Sequence, residues 1–116
     1  MPEPSPVKTR VLFVDDDSGF LDMVNRVFSE LSGGAWDIFL CNDAPSASRL
    51  LKKQSVDLAV LEVCMPGPDG LHLLNTLNRD CPSLPKVLLT GGASSETRVA
   101  GLEGGAELFL EKPTSP

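Results

Sequence analysis

The sequence is short of several things, and each shortage removes a class of function. There are only three cysteines, Cys41, Cys64 and Cys81, an odd number with no metal-ligand spacing, so the expectation is reduced thiols rather than a disulfide framework or a zinc site. No apolar run approaches the roughly 20 residues a membrane span needs, and the opening Met1-Pro-Glu-Pro-Ser-Pro6 has no signal-peptide core. Basic residues are in deficit, ten against sixteen acids for a net charge of -6, which argues against a nucleic-acid or anionic-membrane surface. There is one histidine, His72, read as a surface residue. Gly91-Gly92 and Gly104-Gly105 lack the spacing of a phosphate-cradling loop, and no internal repeat is present.

What remains is a chain of 116 residues, suited to one domain with its own core. The reading is a Pro-rich lead-in over 1–8, a domain over 9–113 and a short end over 114–116. Arg10 to Val14 forms a β-branched and aromatic run that stops at Asp15, Asp16 and Asp17. From Phe20 the stripe Phe20, Leu21, Val24, Val27, Phe28, Leu31 has helical spacing, with Asp17 or Ser18 as N-cap and Gly33-Gly34 as the stop. A strand over Trp36 to Cys41 follows, then a helix capped by Asp43 and running to Lys53. Leu58 to Leu61 is apolar without alternation, as in a strand covered on both faces. Glu62 stands at its end, before the breakers Pro66, Gly67, Pro68 and Gly70. Leu71, Leu74 and Leu77 mark a third helix, Lys86 to Leu89 a fourth strand ending at Thr90, Ser95 to Leu102 a fourth helix, and Glu107 to Glu111 a fifth strand ending at Lys112-Pro113. This alternation predicts an α/β fold, a doubly wound parallel five-stranded sheet with right-handed crossovers.

In such a sheet ligands bind at the carboxyl ends of the strands. Those ends deliver Asp15 and Asp16, Glu62, Thr90 and Lys112 to one edge. Clustered carboxylates repel unless a cation shares the site or one stays protonated, and a hard divalent ion such as Mg²⁺ suits oxygen ligands. An ammonium and a hydroxyl opposite the ion are what a phosphoryl group needs. Taken singly each residue has a plainer reading: the acids as a helix-capping turn, Thr90 as a strand end, Lys112 as a solvated base, Phe109 as packing. Their joint placement carries the weight.

The chain resembles the receiver domain of bacterial two-component response regulators, through Val11-Leu-Phe-Val-Asp-Asp-Asp17, Met65-Pro-Gly-Pro-Asp-Gly70, Val87-Leu-Leu-Thr-Gly91 and Leu110-Glu-Lys-Pro113. The resemblance implies a flavodoxin-like fold of strand order 2-1-3-4-5 and a cytoplasmic signalling module rather than an enzyme. Its partners would be a histidine kinase or phosphotransfer protein and an output domain or dimer mate on the face of the fourth helix and fifth strand, with no direct nucleic acid or membrane contact. It implies Mg²⁺ held by Asp15, Asp16, the residue at position 62 and the backbone carbonyl of Cys64. Thr90 and Lys112 would contact the phosphoryl group, a cis bond would often precede Pro113, and Phe109 would be the aromatic switch.

Two departures stand out. The family places a phosphoacceptor aspartate where this chain has Glu62. Asp57 sits five residues upstream, about 16 Å away at 3.3 Å per residue, and cannot substitute. The extra methylene moves the carboxylate about 1.5 Å toward the metal and Lys112, which should impair in-line phosphoryl transfer. Glu62 then either mimics the phosphorylated state or pairs with Lys112 and locks the domain. The competing function is a Mg²⁺-dependent phosphotransferase or phosphatase on the same architecture, which would want an aspartate at 62 and a substrate cavity. The second departure is the absence of the family's closing fifth helix, whose packing face would cover on the order of 400 to 600 Å² of apolar sheet. The expectation is an incomplete chain or a partner over that face.

Overall fold

A computed structural model describes residues 7–63, 70–91 and 95–112. Nine elements alternate: β1 (Thr9–Val14), α1 (Ser18–Leu31), β2 (Trp36–Cys41), α2 (Ala44–Lys53), β3 (Leu58–Leu61), α3 (Gly70–Asp80), β4 (Lys86–Thr90), α4 (Ser95–Glu103) and β5 (Leu108–Glu111). The strands form one parallel sheet in the order β2-β1-β3-β4-β5. The predicted class and strand order are therefore observed. Element ends differ from the sequence reading by a residue: β1 starts at Thr9, α4 runs on to Glu103, and β5 starts at Leu108.

Local chemistry sets the helix ends. Asp17, in extended conformation, caps α1 by accepting the Phe20 backbone N–H at 3.0 Å. Asp43 caps α2 by accepting the Ser46 N–H at 2.7 Å. Each replaces an intrahelical partner that the first turn lacks. Beyond α1 the chain reverses through Gly33 and Gly34, with φ of 60° and 84°, a region open to glycine at little cost.

Because side chains alternate along a strand, the sheet has two unlike faces. One carries Leu12, Val14, Leu61, Leu88 and Phe109, sealed by Ala44 and Ala47 of α2 and by Leu73, Leu74 and Leu77 of α3. Gly101 of α4 lies directly on this face. A β-carbon there would overlap the Leu88 side chain and come within 3.3 Å of Phe109, so the missing side chain is what lets the helix approach. The other face carries Val11, Phe13, Leu58 and Val60 and is packed by α1 through Phe20, Leu21, Met23, Val24 and Phe28. Phe13, Phe28 and Trp36 stack in series with centroids 5.9 and 5.6 Å apart. Leu31, placed in the core stripe by its spacing, is 75 % exposed; it is the last residue of α1, where the helix has run past the sheet.

Beside α1 this second face stays open. A cleft of about 380 Å³ runs between the helix and the ends of Val60, Val87, Leu89 and Leu110, with an entirely apolar lining. Leu108 and Leu110 of the edge strand are 54 % and 47 % exposed. Four helices are present among the described residues.

Candidate functional site

Strand register builds the site. Val14 pairs with Leu61 and Leu61 with Leu88, so the next residues of β1 and β3, Asp15 and Glu62, stand abreast at the carboxyl edge. Main-chain bonds carry the sheet past its strands and fix them there. The Asp15 N–H donates to the Cys41 carbonyl at 3.0 Å and the Glu62 N–H to that of Val14 at 2.9 Å. On the far side Thr90 pairs with Glu111, and the Lys112 N–H donates to the Thr90 carbonyl at 2.7 Å. The Lys112 side chain reaches back across the edge from that anchor.

Its ammonium joins the two acids. Lys112 Nζ is 2.7 Å from Asp15 Oδ2 and 3.1 Å from Glu62 Oε2. Asp15 and Glu62 are only 3 % and 5 % exposed, and Thr90 is fully buried. The second Asp15 oxygen accepts the Asp17 N–H at 2.9 Å, so both of its oxygens are engaged. Below the ammonium lies the ring of Phe20, 4.2 Å from Nζ to its centroid, a cation held over a negative π face.

Burial and pairing pull the titrations in opposite senses. Burial is the largest influence on Asp15 and raises its carboxyl above the ordinary value of 3.8, against the hydrogen bond and charge of Lys112. For Lys112 burial favours loss of the proton, but the hydrogen bonds and charges of Asp15 and Glu62 together outweigh it and leave the ammonium more basic than usual.

The structure thus brings Asp15, Glu62, Thr90 and Lys112 to one edge, as the sequence suggested. It leaves Asp16 exposed on the loop after β1. Phe109 is buried in the sealed core, with the Arg98 guanidinium 5.4 Å from its ring centroid. Cys64 and the Met65 to Asp69 motif, like Pro113, lie outside the described residues. His72 is exposed as expected. Sequence reasoning missed two residues. Spacing gives Phe20 only a place in the α1 stripe, although an aromatic in the first turn after an acidic loop at a strand end is the available signal. Lys86 is in the sequence only the start of a strand; in the structure it is buried, and its ammonium donates to the Cys81 carbonyl at 3.0 Å.

Carboxylates and a carbonyl suit Mg²⁺, but among the described residues no three acid, histidine or cysteine side chains are grouped to hold a metal. Asp15 and Glu62 direct oxygens at an ammonium instead. As placed around Lys112, the described side chains do not fit the ion.

Comparisons with known proteins agree on one family. The model of the response regulator receiver domain matches residues 11–116. The probable transcriptional regulatory protein TcrX of Mycobacterium tuberculosis is 36 % identical over 105 residues, covering 90 % of this chain and 44 % of that protein. Response regulator MprA of Mycobacterium leprae is 36 % identical over 104 residues, again 90 % and 44 %. The chain therefore spans less than half the length of these curated relatives. Among solved structures, a CheY-like receiver domain protein from Methanospirillum hungatei superposes with a TM-score of 0.83 at 28 % identity, covering 94 % of this chain and 85 % of that one. The NtrX receiver domain from Brucella abortus gives 0.79 at 32 %, covering 90 % and 87 %.

Proposed function

Since the chain belongs to the response regulator receiver domain family, we propose that it is a receiver whose ordinary phosphoryl input is closed at Glu62 and whose state is held by Lys112. Domains of this family are generally signalling modules rather than enzymes; they take their input from histidine kinases, pass it to output domains, and bind Mg²⁺ at the phosphorylation site. The observation that carries the reading is the Glu62 to Lys112 ion pair at 3.1 Å. An acceptor carboxylate must present a lone pair in line with the donor phosphorus. Glu62 is buried and turned onto the lysine that would otherwise steady the incoming phosphoryl group. Of the two consequences open in the sequence, this geometry favours locking by Lys112.

The remaining roles follow the family pattern. Thr90 is the switch hydroxyl, buried beside the main-chain link between β4 and Lys112. α4, with Val99 and Leu102 exposed, and β5 present the output surface, and Phe109, buried beneath it, is the aromatic switch. A Mg²⁺ ion would draw on Asp15, Asp16, Glu62 and the Cys64 carbonyl, in competition with Lys112. No helix among the described residues is long and apolar enough to cross a membrane, and a cytoplasmic signalling role is proposed.

The test is intact-mass spectrometry after incubation with acetyl phosphate and Mg²⁺, on the chain as it stands and on Glu62→Asp. A phosphoryl adduct on Glu62→Asp alone is expected. An adduct on both at similar rates would overturn the closed-input reading, and an adduct on neither would mean that more than the acceptor has been lost.

A further inference from the structure

Every anionic pocket must be neutralised by something, and here the neutralising charge is covalently attached. The Lys112 ammonium lies within 3.1 Å of one oxygen from each buried acid, the position a divalent ion would need to reach both. Its main chain is pinned by the bond to the Thr90 carbonyl, and the Phe20 ring covers a further side of the ammonium. Phe20 is itself fixed in the first turn of α1, its N–H bound to the Asp17 cap, and its ring forms part of the wall of the apolar cleft. An ammonium with two carboxylate partners and an aromatic face exchanges three contacts for water when it leaves.

We propose that Lys112 is the resident cation of this site, seated by Phe20 as a positioning residue, so that a divalent ion binds only by displacing it. The consequence is that removing the lysine should improve metal binding. Electrostatics gives the direction: with Lys112 present the buried cluster carries one net negative charge, and without it two. The Phe20 ring adds a smaller increment. An aromatic face is worth about a two- to fivefold preference at a partly exposed site, which a metal must overcome as well. The inference rests on the receiver-pocket reading. The two fail separately, since a phosphoryl adduct on the parent chain would overturn that reading while leaving the metal affinities to be compared.

The experiment is a Mn²⁺ titration followed by electron paramagnetic resonance of the free ion, with Mg²⁺ competition. It is run on the parent chain, Lys112→Met, Phe20→Leu and the exposed-lysine control Lys52→Met, each first checked for a cooperative urea transition. Expected are at least tenfold tighter Mn²⁺ binding by Lys112→Met, two- to fivefold tighter binding by Phe20→Leu, and less than a twofold change for Lys52→Met. Parent affinity equal to or better than that of Lys112→Met overturns the proposal, as does an equal gain in Lys52→Met, which would reduce the effect to net charge. Should Lys112→Met not fold, Phe20→Leu decides alone: it keeps the apolar wall, and unchanged affinity there overturns the proposal.

Discussion

Replacing Lys112 by methionine keeps a long apolar stem against Phe20 but removes the charge shared by Asp15 and Glu62. Two acids that are 3 % and 5 % exposed are then left without their cation, and breaking a buried pair in this way costs about 3 to 5 kcal/mol. The variant has an escape, because one acid can take up a proton. Asp15 is the better placed, being already raised by burial. For a group that ionises at 3.8 when exposed, retaining the proton at pH 7 costs at most about 4 kcal/mol, at 1.36 kcal/mol for each pH unit. At pH 5 the same escape costs only about 1.6 kcal/mol. The loss should therefore stand near 3 to 4 kcal/mol at pH 7 and narrow to below 2 kcal/mol at pH 5. With a urea slope of about 1 to 3 kcal/mol per M, the midpoint at pH 7 should fall by about 2 M, with the slope unchanged. The assay is urea unfolding of parent and Lys112→Met in chelator at both pH values. A gap under 1 kcal/mol at pH 7 would refute the reasoning, and so would one that failed to narrow at pH 5. On the alkaline side, the raised Lys112 value means that its contribution is fully present below the ordinary lysine value of 10.5 and is lost as pH rises through the folded value.

Three other outcomes are expected. Asp15 is raised, so the folded chain holds this proton more tightly than the unfolded one; the stability it lends is present below pH 3.8 and lost as pH rises through the folded value. Asp15→Asn should therefore raise the urea midpoint near neutrality and lose that advantage below pH 4, and a lowered midpoint at pH 7 would count against it. Gly101→Ala should cost about 1 to 3 kcal/mol, because the new methyl meets the fully buried Leu88 and α4 must move off the sheet; an unchanged thermal midpoint would show that Leu88 yields freely. Asp43→Ala should cost about 0.5 to 2 kcal/mol through loss of the α2 cap, with Asp43→Asn recovering most of it in the same melts.

The sheet order and the meeting of Asp15, Glu62, Thr90 and Lys112 were legible because both follow from strand ends. An unalternating run such as Leu58 to Leu61 followed by breakers locates a carboxyl edge, and parallel topology collects such edges on one side. Side-chain reach was less legible. Asp15 and Asp16 are adjacent and chemically identical, yet one is buried on Lys112 while the other faces solvent, a difference set by backbone direction after β1. Helical spacing places Phe20 in the α1 stripe but carries no trace of Lys112, a partner 92 positions away. Leu31 shows the opposite failure, where spacing persists after the surface it would cover has ended.

The two unlike faces of the sheet divide the tolerance of the sequence to change. Neighbours such as Leu88 and Leu89, or Leu61 and Val60, differ by one position but point to a sealed side and an open one. In a scan of every substitution, truncation at Leu61 or Leu88 opens a void in close-packed surroundings and should be lost from a folded pool at about 2 to 5 kcal/mol. Truncation at Val60 or Leu89 only deepens a cleft that already exists. Fitness along β3 and β4 would then alternate residue by residue, and any molecule that came to fill the cleft would erase that alternation, giving a genetic record of whether the open side is covered in the cell.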